Sequence, residues 1–259
     1  MTDGAGVSGT GDDRDAAEAA RVRESLLSLR DSRGYVLPHR GLMAAALPEL
    51  HAAYGAMYRA LTVQQGQMPP LERECVWLAI LVSCDEPVGT HHLALFRQHG
   101  GDDQMAAALF RQTAWAIGAE AHAFLPRSWG PHFPGLDAAA LFRDGAAALA
   151  TDGVLPDTTA RLLRLAVLAA RGNLWALGVE LEAAYAAGLD ERRMAEAVSL
   201  IIWPRGVNPF VRAADTWLAL LRSGRVRPGA AFAAWAEAGE QGPLVLEGGG
   251  DAAPRAPAE

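Results

Sequence analysis

Residues 71–118 read LERECVWLAILVSCDEPVGTHHLALFRQHGGDDQMAAALFRQTAWAIG. Within it, 71–83 is almost wholly apolar, with Val76, Leu78, Ala79, Ile80, Leu81 and Val82 in succession. A surface helix carries only a one-sided apolar stripe, so this segment predicts a buried helix. Pro70 precedes it, and Glu72 and Glu74 fall in its first turn, where acids suit the positive end of the helix dipole. A short connection containing Pro87 and Gly89 leads to adjacent histidines, His91 and His92, and an Ala/Leu/Phe helix. Gly100-Gly101 supplies C-capping chemistry for that helix. Asp102 and Asp103 can cap the next one, predicted over 103–117.

Around this stretch the chain is helical in pattern. Residues 1–13 are rich in Gly, Ser and Asp, which predicts disorder. Residues 15–30 carry Leu26, Leu27 and Leu29 on a charged background, and Gly34 and Pro38 break that helix. Residues 40–61 have helical spacing, with Pro48 required at a helix start or a kink. The run at 64–70 reads as a loop, and LPRSWGPHFPG at 125–135 as a linker. Helices resume near 137, and the chain after Gly239 is polar and rich in Gly and Pro. No segment sustains period-2 alternation, so the predicted class is all-α.

Composition bounds the function. A chain of 259 residues can bury a sizeable core, and 51% hydrophobic with 20% charged residues is ordinary for a globular protein. A net charge of -7 argues against nucleic-acid binding, because phosphate contact needs a basic surface. All 23 basic residues are arginine, which removes lysine Schiff-base chemistry. Two cysteines, Cys75 and Cys84, fit a reducing compartment. There is no signal-peptide pattern, and no apolar run reaches the roughly 18–20 residues of a membrane span. The expectation is a cytoplasmic protein with neither nucleic-acid nor membrane partners.

Self-comparison adds an internal repeat. Gly100 and Gly188, Asp102 and Asp190, Trp115 and Trp203, Gly118 and Gly206, and Trp129 and Trp217 are all 88 residues apart. Upstream the register slips: Ala79 pairs with Ala166 at 87, and Pro48 and Leu50 with Pro134 and Leu136 at 86. Five Gly, Asp and Trp coincidences in one register outweigh the alternative of a merely Ala-rich helical protein. The predicted organisation is a disordered tail at 1–14, a helical extension at 15–44, a first repeat at 45–130, a second at 131–222, and a C-terminal segment at 223–259 ending in a disordered tail. The second repeat has the apolar helix 160–170, the connection Arg171-Gly172-Asn173 and the helix GVELEAAYAAG. At the 88 offset His92 meets Glu180 and His91 meets Val179, while Glu74 meets Arg161 or Leu162. The second copy keeps its packing residues and loses the Glu/His pair, as a scaffold would.

Glu74-Cys75-Val76-Trp77-Leu78-Ala79-Ile80, then His92, then Gly100 eight residues on, resembles the carboxymuconolactone decarboxylase and alkylhydroperoxidase-D family. The resemblance covers about residues 45–222. In the redox branch of that family the turn carries C-x-x-C. Here the partner of Cys84 would be Pro87, and counting back from His92 gives Asp85 and Val88, so no thiol pair exists. The resemblance therefore implies the cofactor-free branch: decarboxylation or proton transfer on a small carboxylated, lactone or polyketide-like compound. It also implies an all-helical bundle in a ring, here a homo-oligomer of trimeric or hexameric type.

The candidate catalytic residues are Glu74, His92, His91 and Cys84. A buried Glu can exchange protons near neutrality, against an exposed first-turn Glu as the plain alternative. Neighbouring helical residues diverge by about 100°, so one of His91 and His92 faces the site; spacing to Gly100 favours His92 and spacing to Gly101 favours His91. Adjacent histidines cannot easily share a tetrahedral ion, so no metal is expected. Cys75, in the apolar helix, reads as inert core. Cys84, Asp85 and Glu86 are a thiol or carboxylate partner if they lie in a cleft, and solvated loop residues otherwise. Candidate substrate contacts are Trp115, Glu120, His122 and Arg205, with Arg127 and Arg212 as further options. The repeated tryptophans, Trp115 included, also suit core or interface. Three functions remain open: a cofactor-independent lyase or isomerase, a thiol-dependent alkylhydroperoxidase-like reductase using Cys84, and a non-catalytic member that binds a ligand or partner.

Overall fold

The computed structural model describes residues 9–150 and 153–238, and all regular structure among them is helical. The chain forms two compact units, Met1–Gln64 and Gln65–Glu259.

The first unit holds α1 (Gly9–Arg33), α2 (Pro38–Ala46) and α3 (Pro48–Tyr58), the last running into a π-helical turn, Arg59–Val63. Of the tail expected to be disordered at 1–14, residues 1–8 lie outside the described residues, and the rest opens α1. The Ala/Glu/Arg run that follows, AAEAARVRESLLSLR, consists of strong helix formers and carries the helix back through the Gly/Asp segment. Pro48 sits in the first turn of α3, where its missing N–H is not needed.

The second unit begins with α4 (Pro70–Ser83), α5 (Thr90–Gln98), α6 (Asp103–Ile117) and α7 (Glu120–Phe124). It continues with α8 (Ala138–Ala148), α9 (Asp157–Arg171), α10 (Leu174–Ala186) and α11 (Glu191–Ser199). The last elements are the short α12 (Ile202–Arg205), α13 (Val207–Arg222) and α14 (Ala230–Glu237). The chain after 238 lies outside the described residues, and with it the tail expected to be disordered. No described helix is long and apolar enough to cross a membrane.

The core centres on α9 rather than on α4. Every residue from Leu162 to Ala170 is buried, and α9 packs against α4, α6, α10, α11 and α13. A helix segment enclosed on all sides must be apolar nearly all round, and Leu162–Ala170 meets this except at Arg164. Each fully buried Leu there contributes roughly 1.5–3 kcal/mol of transfer free energy.

The segment expected as a linker, 125–135, is instead mostly wound. Leu125–Trp129 is one π-helical turn and Gly130–His132 one 3-10 turn, continuing α7. Pro126 stands where the α-helical winding of α7 gives way to the wider turn, and Trp129 packs edge-on against Phe124 at 4.8 Å.

The order helix, connection, helix, glycine and Asp-capped helix occurs twice, as α4–α5–α6 and α9–α10–α11. Gly100 and Gly188 both adopt positive φ, +95° and +69°, at the ends of α5 and α10. Asp102 accepts from the Met105 amide at 2.8 Å, and Asp190 from the Arg192 amide at 2.8 Å. Both are N-caps, each satisfying an amide that the helix itself leaves orphaned. The tryptophans at matching positions diverge. Trp217 is buried and its indole N–H donates to the Tyr185 hydroxyl at 3.0 Å, whereas Trp129 is 52% exposed.

Candidate functional site

Glu74 projects from the second turn of α4, and His92 from the first turn of α5. Glu74 Oε2 lies 2.7 Å from His92 Nδ1. Glu74 is 5% exposed and His92 3%, so the pair is withdrawn from water. The exposed first-turn reading of Glu74 is thereby replaced. The following Cys75-Val76-Trp77 run is buried throughout, and the helix enters the core from Glu72 onward.

Sequence spacing left the two histidines undecided between them. It is His92 that turns to Glu74. His91 is only half-buried, and its ring packs 4.0 Å from that of His92. Trp77, one turn beyond Glu74 on the same helix face, stacks on the His92 ring at 4.4 Å with 19° between planes. The Trp77 indole N–H has no hydrogen-bond acceptor among the described residues, although the side chain is 1% exposed. The sequence did not single out Trp77 as a site residue; its i+3 relation to Glu74 was the available signal.

The connection between α4 and α5 is pinned by local contacts. Glu86 Oε1 accepts from the Val88 amide at 2.9 Å, and Asp85 is exposed with φ +54°. Both behave as loop residues. Cys84 is half-buried, 3.8 Å from the Ser83 hydroxyl. Burial pushes its thiol up, against a smaller opposing pull from Ser83, Arg205 and Arg171. Cys75 is buried against Met105, Sγ to Sδ 4.0 Å, and burial with the nearby Glu72 and Glu74 charges pushes it up to about 12. Reactive thiols need the opposite shift, toward the thiolate.

The candidate substrate contacts are dispersed. Trp115 Nε1 donates to the Phe142 carbonyl at 3.1 Å, and its ring lies on Gly145, where a Cβ would stand 2.1 Å away. His122 packs beside it, 5.2 Å from Trp115 and 5.6 Å from Phe142, and burial pushes its imidazole below the usual range. Arg205 donates from Nε to the Ala170 carbonyl at 3.1 Å, satisfying the last turn of α9. Glu120 and Arg127 line a separate cleft beside residues 172–175. Arg212 is exposed.

A second buried polar cluster was not foreseen. Arg164, in the middle of α9, donates from Nε and Nη2 to the two carboxylate oxygens of Glu180 of α10, at 3.0 and 2.8 Å. Its third nitrogen donates to Gln112 Oε1 of α6 at 2.7 Å, and Gln112 Nε2 donates to the Ala146 carbonyl of α8 at 3.1 Å. Arg161 adds a longer contact to Glu180, 3.5 Å. The guanidinium, the carboxylate and the amide are each within 3% of full burial and mutually satisfied, so this cluster joins four helices. Among the described residues no group of three or more His, Cys, Asp or Glu is placed to hold a metal ion.

Compared with known proteins, residues 137–219 match the carboxymuconolactone decarboxylase family. The matched segment runs from the N-cap of α8 into α13 and includes Arg164 and Glu180. No curated protein and no solved structure matches the chain.

Proposed function

With a carboxymuconolactone decarboxylase-family segment in the chain as the premise, we propose that this protein is a cofactor-independent lyase or isomerase. Its substrate is a small carboxylated, lactone or polyketide-like compound, and its chemistry is decarboxylation or proton transfer. The observation that carries the reading is the buried contact of 2.7 Å between Glu74 and His92. Glu74 engages Nδ1 and fixes the imidazole, so proton exchange with substrate falls to Nε2. The carboxylate also balances the positive charge that His92 acquires when it takes a proton. The Trp77 indole N–H, lacking an acceptor among the described residues, is the donor that a developing substrate oxyanion would meet.

Removal of a carboxylate leaves an electron pair on carbon. With no side-chain amine in the chain to form an iminium, the substrate itself must delocalise that pair, as a β-keto acid or vinylogous lactone does. The thiol-dependent alternative needs a nucleophilic Cys84, and burial drives that thiol the wrong way. The protein is proposed to act as a ring-forming homo-oligomer in the cytoplasm.

The test is mass analysis of candidate β-keto acids incubated with and without the protein. Carbon dioxide loss supports decarboxylation, and an isomer of unchanged mass supports proton transfer. Full activity in His92→Ala would end the reading.

A further inference from the structure

The cleft beside the start of α10 is unrelated to the Glu74–His92 pair, since neither residue lines it. It has a volume of about 370 Å³, and Glu120, Arg127, Asn173 and Trp175 lie in its wall. Asn173 is 5% exposed. Its Oδ1 is committed to the helix, accepting from the Ala176 amide at 3.0 Å. Its Nδ2 has no acceptor among the described residues. A buried amide donor without a partner is costly and rare in a folded chain. This one stands at the N-terminus of a 13-residue helix, where the dipole adds positive potential. Arg127 adds a full positive charge on the wall. All three features call for an acceptor carrying negative charge.

Glu120 sets the limit on that charge. Its carboxylate shares the same wall, so a dianion such as a phosphate monoester would face a like charge that a single carboxylate tolerates better. The size of the remaining ligand follows from the neighbouring cleft. That second depression, about 400 Å³, shares Pro126 and Trp175 with the first. Its walls are mostly apolar, with Leu125, Phe133 and Leu136 among them; its one acid, Asp137, is engaged in capping α8, and Phe133 and Leu136 are 45% and 51% exposed. Exposed apolar groups beside a polar end describe a site for an amphipathic small molecule.

We propose that these adjoining clefts form one binding site for a monoanionic carboxylate bearing an aryl or alkyl tail. The head group accepts from Asn173 Nδ2 and pairs with Arg127, and the tail lies across Trp175 onto Leu125, Phe133 and Leu136. The Glu74–His92 site is not required for it.

The experiment is calorimetric titration of the full chain with 4-phenylbutyrate, its amide, phenyl phosphate and the shorter phenylacetate. Saturable binding of 4-phenylbutyrate is expected, at least tenfold tighter than its amide and tighter than phenyl phosphate. Each methylene removed from the tail weakens binding about fourfold. Asn173→Asp retains the cap on Ala176 but replaces the donor with an acid, and weakens binding at least tenfold with little change in melting temperature. Arg127→Gln, at an exposed position, weakens it as well. Glu74→Gln binds as the unsubstituted chain does. Equal binding of acid and amide, tighter binding of the phosphate, or unchanged binding in both Asn173→Asp and Arg127→Gln overturns the proposal. Loss of binding in Glu74→Gln overturns it too, by moving the ligand to the other site.

Discussion

Helices α4 and α5 place Glu74 opposite His92, and helices α9 and α10 place Arg161 and Arg164 opposite Glu180. The positions correspond: Arg161 follows Glu74 and Arg164 follows Trp77 by 87 residues, and Glu180 follows His92 by 88. One framework thus holds two buried polar clusters of opposite arrangement. In the first, the acid is on the leading helix and the titratable base on the following one. In the second, the base leads and the acid follows. The difference in chemistry comes from the base. An imidazole changes charge near neutral pH, whereas a guanidinium stays protonated. Under the proposed function the first cluster passes a proton, whereas the second braces helices. Its extra bonds to Gln112 and onward to α8 are what a cross-brace requires.

The largest expected effect tests the first half of that contrast. Glu74→Gln keeps a hydrogen bond to His92 but removes the charge that supports imidazolium. Turnover on the substrate identified by mass analysis is expected to fall by about 10²–10⁴, the usual worth of a positioned acid–base group. The melting temperature should stay near that of the parent chain. Unimpaired turnover would reduce the first cluster to a brace like the second and erase the contrast.

The second half is tested by stability. Arg164→Met leaves the Glu180 carboxylate buried with only the distant Arg161 for company. Breaking a buried pair from one side costs about 3–5 kcal/mol, read from urea unfolding. Arg164→Met combined with Glu180→Leu should recover more than half of that loss, because an apolar pair needs no solvation. A loss under about 1 kcal/mol for the single change would mean the cluster is not a brace.

Much of this arrangement was legible before any coordinates. The caps Asp102 and Asp190 and the glycines at 100 and 188 are local signals, read from one or two residues and their neighbours. A pairing of Glu74 with one of the two histidines was legible from the fit to a known spacing, but the choice of His92 over His91 was not, because both spacings to Gly100-Gly101 were open. Arg164 was not legible as a core residue. An arginine in a helix usually reaches solvent, and its burial depends on Glu180 and Gln112, which lie 16 and 52 residues away. The winding of 125–129 was also hidden, since Pro126 and Gly130 signal a break and the contact of Phe124 with Trp129 is tertiary. Trp115 illustrates the limit in the other direction. Its ring is seated on Gly145, a close approach that no spacing rule announces.

The smallest effect concerns the two connections. Asp85, between α4 and α5, has φ +54°, and Gly172, 87 residues on between α9 and α10, has φ +71°. The same left-handed step is thus taken once by aspartate and once by glycine. Glycine takes it without strain, while an L-residue pays roughly 1–2 kcal/mol, less for aspartate than for most. Asp85→Gly relieves that strain but makes the unfolded chain more flexible, by about 0.4–1 kcal/mol. The net expectation is a gain of about 0.5 kcal/mol or less. Gly172→Ala has no compensating term in its favour large enough to offset the strain, and should lose about 1 kcal/mol. Opposite signs in urea unfolding would sharpen the correspondence of the two connections. A loss on Asp85→Gly larger than the entropy term would instead mean that the Asp85 side chain holds the turn beside His92, so that the first connection is tuned for its site and the second is not.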